Sequence, residues 1–268
     1  MKGNSSNPGK VYLVGAVDLI TVRGANILAK ADIVFYDALV DPEMLSLCPQ
    51  AQLVAVGKRC GKLSSAQQFI NKLLVDAAQK HQVIVRLKGG DPMLFGRADE
   101  EIQTLKAAGI AIEVVPGITA ALAGAASIQQ SLTLRGISRG VAFVTLAQGT
   151  EHTVSNDAQA LHTISSPITN HSADTLVYYM GRKDAARIAK QLIEQHVNHL
   201  GKHNAHTPVQ ILEVVSTPRE RLWSSKLKEL AAGKADDWFD SSSPALIMIG
   251  EALKDSAEAI QLETSSLH

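Results

Sequence analysis

Aromatic side chains are scarce in this chain, with two tryptophans, four tyrosines and five phenylalanines among 268 residues. Such a composition argues against a stacking platform for single-stranded nucleic acid. Excess charge is also missing, since 26 Lys and Arg balance 26 Asp and Glu. Bulk attraction to nucleic acid or to an anionic membrane is therefore not expected. There are two cysteines, Cys48 and Cys60, without CxxC or Cys/His ligand spacing. They read as thiols in a reducing compartment rather than as a disulfide or metal site. Residues 1–10 are polar and lack the apolar stretch of a signal peptide, and the small-apolar run 118–128 is too short to span a bilayer. The expectation is a soluble, cytoplasmic protein that binds no metal, nucleic acid or membrane.

What is present is alternation. β-Branched runs at 11–14, 33–36, 53–56, 83–87 and 112–115 read as buried strands. Between them, 19–30, 66–80 and 98–108 read as helices, and Phe69, Ile70, Leu73, Leu74 and Ala77 form a helical stripe. This pattern predicts a mainly parallel sheet covered by helices. Pro116-Gly117 opens a further helix over 118–128, and the Ser-, Gly- and Arg-richer stretch 129–140 links to a second unit. Strands are expected there at 141–145, 175–179, 209–215 and 245–249, with a helix at 184–195. No crossover helix precedes 219–230, so Leu222–Ser224 reads as an antiparallel strand and the second sheet as mixed. The boundaries are 9–136 for the first α/β domain, 137–254 for the second, and 255–268 for a polar tail.

The segment Leu87-Lys88-Gly89-Gly90-Asp91-Pro92-Met93-Leu94-Phe95-Gly96-Arg97 leaves a strand and enters a helix. Open α/β sheets bind ligands at that position. Two glycines permit positive φ or close backbone approach, and an acidic side chain there accepts hydrogen bonds from ligand hydroxyl or ammonium groups. On the residues alone, an ordinary tight turn is the more frequent explanation of Gly-Gly-Asp-Pro, and a ligand site the other. No Gly-Lys-Ser/Thr follows, which sets aside a phosphate loop. Val114-Val115-Pro116-Gly117-Ile118-Thr119-Ala120 offers backbone N–H groups at a helix start, although the residues alone favour an ordinary Pro-Gly entry to a tightly packed Ala-rich helix. Tyr36-Asp37 and Gly57-Lys58-Arg59 end neighbouring strands, where an acid and a base can transfer protons or simply form a solvated turn.

Taken in order, these pieces resemble the tetrapyrrole methylase family, and within it the uroporphyrinogen-III C-methyltransferases. The resemblance rests on Val-Tyr-Leu-Val-Gly-Ala (11–16), Ala-Asp-Ile-Val-Phe-Tyr-Asp (31–37), Val-Gly-Lys-Arg (56–59) and Arg-Leu-Lys-Gly-Gly-Asp-Pro (86–92). It continues through Phe-Gly-Arg (95–97), Val-Val-Pro-Gly-Ile-Thr-Ala (114–120), Tyr-Met-Gly (179–181), Thr-Pro-Val (207–209) and Pro-Ala-Leu-Ile (244–247), so that it covers about 9–253. It implies two α/β domains of the tetrapyrrole methylase type with the active-site cleft between them, and a homodimer. It also implies methyl transfer from S-adenosylmethionine to C2 and C7 of uroporphyrinogen III. The product is precorrin-2, which leads to siroheme, cobalamin or haem d1.

By the same resemblance, Gly89, Gly90, Asp91, Leu94, Thr119, Ala120, Met180 and Val215 contact the cofactor. Asp37 is the proton acceptor and Lys58 the proton donor. A substrate with eight carboxylates calls for a basic lining, which Arg97, Arg135 and Arg139 are placed to supply, with Glu100 in the same substrate set. Three departures from the family pattern stand out. Val214-Val215 replaces Asn followed by Gly or Ala, and Leu134 replaces a histidine. After Ala16 the Gly-Pro-Gly-Asp turn is missing, and Val17-Asp18 runs directly into Leu-Ile-Thr. Loss of four residues removes up to ~13 Å of extended reach. It leaves open a binding variant without turnover, beside a sibling enzyme of the same fold acting on another tetrapyrrole or on RNA. The length leaves no room for a separate dehydrogenase/ferrochelatase module, so methyl transfer is the single expected activity.

Overall fold

The computed structural model describes residues 8–16, 19–57, 63–146 and 173–254. The expected tail 255–268 and all of 147–172 lie outside the described residues. The chain divides into two compact units, Met1–Ala120 and Ala121–His268. No described helix is long and apolar enough to cross a membrane.

In the first unit, β1 (Lys10–Ala16), β2 (Ile33–Tyr36), β3 (Gln52–Ala55), β4 (Val83–Gly89) and β5 (Ile112–Val115) form one sheet in the order β3-β2-β4-β1-β5. Every pairing is parallel. The helices are α1 (Val22–Leu28), α2 (Leu63–Ala78) and α3 (Ala98–Ala107). Helix α1 starts where Thr21 Oγ1 accepts the Gly24 N–H, satisfying one of the unpaired donors of its first turn. Central strands are covered on both faces, which is why their sequences are almost continuously apolar. Val11, Leu13 and Ile84 pack on one side with Leu74 of α2 and Leu105 of α3. Val14, Val85 and Leu87 pack on the other with Leu28 of α1. Each fully buried Leu or Val contributes about 1.5–3 kcal/mol. Because the strands run the same way, β2, β4 and β5 deliver Asp37, Gly89 and Pro116 to one edge.

The second unit begins with α4 (Ala120–Ser127) and contains β6 (Val141–Thr145), β7 (Thr175–Tyr179), α5 (Ala185–Val197), β8 (Pro208–Glu213), β9 (Arg221–Lys226), α6 (Leu227–Ala231) and β10 (Ala245–Gly250). The sheet order is β6-β7-β10-β8-β9. Strands β6 and β7 are parallel, whereas the pairs β7–β10, β10–β8 and β8–β9 are antiparallel, so the sheet is mixed as expected. Leu176, Tyr178, Ile211, Ile247 and Ile249 face α5 and α6. Val177, Leu212, Leu246 and Met248 face the opposite way, together with Ala121 of α4. A side chain added at Gly124 would reach 3.4 Å from Leu246, so the small residues of α4 reflect close packing on this sheet. Helix α6 has only five residues and was not expected from the sequence. Strand β8 stops at Glu213, not at Val215 as expected, because Val214 turns to φ +47 and gives its N–H to Pro244 O.

Asp174 ties three segments of this unit together. Its carboxylate accepts the N–H groups of Arg139 (2.8 Å) and Gly140 (3.0 Å) and the Lys202 ammonium (2.6 Å). These donors, Lys202 first, lower its pKa from 3.8 to about 2. A carboxyl that is more acidic when folded stabilises the native state above its unfolded pKa and loses that contribution as pH falls through the folded value. The gap in urea midpoint between wild type and Asp174→Asn is therefore expected to be full at neutral pH. It shrinks as pH drops from about 4 towards about 2.

Candidate active site

The turn leaving β4 is built around two glycines and one carboxylate. Gly90 adopts φ +71, a conformation that L side chains rarely adopt, and a Cβ at Gly89 would come within 3.0 Å of Leu39 Cβ. Asp91 then fixes the turn through both oxygens. Its Oδ1 accepts the Met93 N–H at 2.8 Å, while its Oδ2 accepts the Gly117 N–H at 2.9 Å. The second bond joins the loop after β4 to the loop after β5. Gly90 consequently lies against the backbone of Ile118, Thr119 and Ala120, at 3.8–3.9 Å from its would-be Cβ. Leu94 continues the turn by giving its N–H to Asp91 O, and Phe95 and Arg97 both take positive φ. Met93 is exposed on this edge.

Beneath the turn lies a layer of charge. Arg86 and Lys88 alternate with Leu87 along β4, so both face the side of the sheet that carries α3. Glu101 meets them there with no exposure of its side chain. Its Oε1 accepts Arg86 Nε at 3.2 Å and Gln67 Nε2 at 3.2 Å, and its Oε2 accepts Lys88 Nζ at 2.8 Å. Burial, together with the neighbouring Arg86, lowers the Lys88 pKa from its ordinary value, against the pull of Glu101 and Asp37. Arg86 Nη1 donates to the carbonyls of Phe35 (3.4 Å) and Leu87 (2.8 Å). Its Nη2 points at Asp37 Oδ2, 3.6 Å away, and Asp37 Oδ1 accepts the Leu39 N–H at 3.0 Å.

The first unit thus brings Asp37, Gly89, Gly90, Asp91, Leu94, Thr119 and Ala120 to one edge. Arg97 and Glu100 stand beside them at the start of α3, joined in a two-pronged exposed pair at 2.6 and 2.8 Å. Such an exposed pair is worth about 0–1 kcal/mol. Lys58 lies outside the described residues, as do Val17 and Asp18 of the shortened turn. In the second unit, Met180 follows β7 with φ 56 and is 56% exposed. Val215 follows β8 and packs beside Leu212 and Leu246. The Tyr179 hydroxyl accepts the Ala121 N–H at 3.0 Å and pins the start of α4. Arg135 sits in an exposed turn closed by the Leu134–Ser138 bridge, and Arg139 is exposed just after it.

Arg86, Lys88 and Glu101 were not singled out from the sequence, although a signal existed. Residues 86 and 88 are cationic in a strand whose other positions are apolar. Glu101 falls in phase with Ala98 and Leu105 on the buried stripe of α3. Charges at core positions on facing elements mark a paired buried network.

Comparison with known proteins gives the family. The model of the tetrapyrrole (corrin/porphyrin) methylases matches residues 10–231. The chain belongs to that family. It is 41% identical over 253 residues to the uroporphyrinogen-III C-methyltransferase of Pseudomonas aeruginosa, covering 92% of this chain and 95% of that protein. It is 38% identical to the siroheme synthase of Psychrobacter sp., but spans only about half of that protein's length (48%). Among solved structures, it is similar to the Thermus thermophilus uroporphyrin-III C-methyl transferase complexed with S-adenyl homocysteine. That match has a TM-score of 0.70 and 35% identity over 92% of this chain and 94% of the other.

Val214 of this methylase is a β-branched residue in left-handed backbone. That conformation costs about 1–2 kcal/mol for an ordinary L-residue and less for Asn. Val214→Asn is expected to raise unfolding stability by about 1 kcal/mol, read from the shift of a denaturant midpoint at unchanged slope.

Proposed function

We propose that the protein transfers methyl groups from S-adenosylmethionine to C2 and C7 of uroporphyrinogen III, forming precorrin-2. The observation that carries this reading is the Gly89-Gly90-Asp91 turn tied to Gly117 at the carboxyl edge of a parallel sheet. It stands in a chain that matches a uroporphyrinogen-III C-methyltransferase along nearly its whole length. The turn suits the methyl donor. Backbone without side chains allows close approach, and each Asp91 oxygen accepts one backbone N–H and keeps a lone pair for a ligand hydroxyl. Gly89, Gly90, Asp91, Leu94, Thr119 and Ala120 in the first unit, with Met180 and Val215 in the second, are the groups assigned to the donor.

The chemistry asks little covalent work of the protein. A nucleophilic ring carbon attacks the methyl group, a C–C bond forms, and the S–CH3 electrons return to sulfur as S-adenosylhomocysteine leaves. Alignment of carbon, methyl and sulfur is the main contribution. The methylated macrocycle then loses a proton. Asp37, one-quarter exposed at the end of β2, is assigned as the acceptor, and Lys58 as the donor. Arg97, Glu100, Arg135 and Arg139 are assigned to the substrate, the guanidinium groups meeting its carboxylates. Action as a homodimer in the cytoplasm belongs to the same proposal.

Incubation of the full chain with uroporphyrinogen III and S-adenosylmethionine tests it. The expected product is heavier by two methyl groups and shows altered absorption, while Asp91→Ala needs about 10-fold or more extra donor for half-maximal rate. An unmodified tetrapyrrole, beside a competent control enzyme, overturns the reading.

A further inference from the structure

The buried layer under Asp37 has a charge balance that the reaction scheme leaves unused. Arg86 and Lys88 bring two positive charges into the space between β4 and α3, with side chains only 5% exposed. Glu101 supplies one negative charge there, at 0% exposure. Asp37, at 25% exposure, supplies the second. The guanidinium of Arg86 is fixed on two sides, at Nε by Glu101 and at Nη1 by the Phe35 and Leu87 carbonyls. Its Nη2 is left aimed at Asp37. At 3.6 Å this is an ion pair without a close hydrogen bond.

We propose that Glu101 is a positioning residue for Asp37: it aims Arg86 at the carboxylate and offsets enough of the buried positive charge to leave Asp37 a working base. The inference rests on the proton-acceptor role proposed above for Asp37. With Glu101 neutral, two buried cations face one carboxylate. Coulomb attraction then favours the ionised form of Asp37 and opposes its uptake of a proton. Gln67, the other partner of Glu101, is uncharged and cannot offset the two cations. A buried ion pair kept only for stability makes a different statement. Its loss lowers the folded fraction and acts on the rate independently of Asp37.

Glu101→Gln separates the two, because the amide oxygen still accepts the Arg86 N–H while the charge is gone. Rates are compared for wild type, Glu101→Gln, Asp37→Asn and the double variant, each normalised to folded protein by near-UV circular dichroism. The expected result is a drop in kcat of about 10-fold or more on Glu101→Gln, with KM for S-adenosylmethionine changed less than about 2-fold. In the Asp37→Asn background the same substitution is expected to change kcat by less than about 2-fold. Equal drops in both backgrounds, or no drop in wild type, overturn the proposal. Should Glu101→Gln fail to fold, the charge-balanced pair Lys88→Met/Glu101→Gln carries the test. It keeps Arg86 against Asp37 and is expected to stay within about 10-fold of the wild-type kcat, and a larger loss contradicts the proposal. A wild-type chain that methylates nothing overturns the functional reading instead, and with it the premise of this one.

Discussion

A single carboxylate with no access to water holds two cations beneath the carboxyl edge of the first sheet. Leaving Arg86 or Lys88 unpaired at that depth costs several kcal/mol, so Glu101 constrains where α3 docks on β4. That docking in turn sets where α3 begins. The loop from Gly89 to Arg97 must then bridge a fixed gap, and it does so through tight turns, with positive φ at Gly90, Phe95 and Arg97. Asp91 completes the construction by tying the loop to Gly117. Electrostatics in the core and backbone geometry at the surface are in this way one constraint.

In the proposed assignment the edge separates two tasks. Gly89, Gly90 and Asp91 present backbone and one carboxylate, a surface that a ligand can approach closely. Asp37, one strand over, presents a carboxylate steered by Arg86 and bonded to the Leu39 N–H. Methyl transfer needs both, a donor held still and a base within reach of the carbon that has accepted the methyl. Parallel strands deliver Asp37 and the glycine turn to one edge without any long-range device, since β2 and β4 are neighbours in register from Ile33 with Ile84 to Tyr36 with Leu87.

The strands of both sheets were legible because central strands covered on both faces must be apolar on both, and 11–14, 33–36 and 245–249 show this directly. The glycine turn was legible because positive φ and close approach demand glycine at 89 and 90. Glu101 was not, since acidic residues in the first turn of a helix usually answer the macrodipole, and Asp99 and Glu100 beside it fit that ordinary role. Its phase on the apolar stripe was the better guide. The end of β8 was misjudged because Val214 and Val215 have strong strand propensity, which a left-handed turn overrides. Helix α6 was hidden by its length, too short for any periodicity to show.

The central claim is that the carboxyl edge of the first sheet holds the methyl donor. A crystal structure of the full chain with S-adenosylhomocysteine tests it most directly. The account predicts the ligand against the backbone of Gly89 and Gly90, with a ligand hydroxyl on Asp91 and further contacts at Thr119 and Ala120. A ligand seated elsewhere, for instance in the hollow lined by Tyr12, Arg23, Asn26 and Glu113, contradicts it.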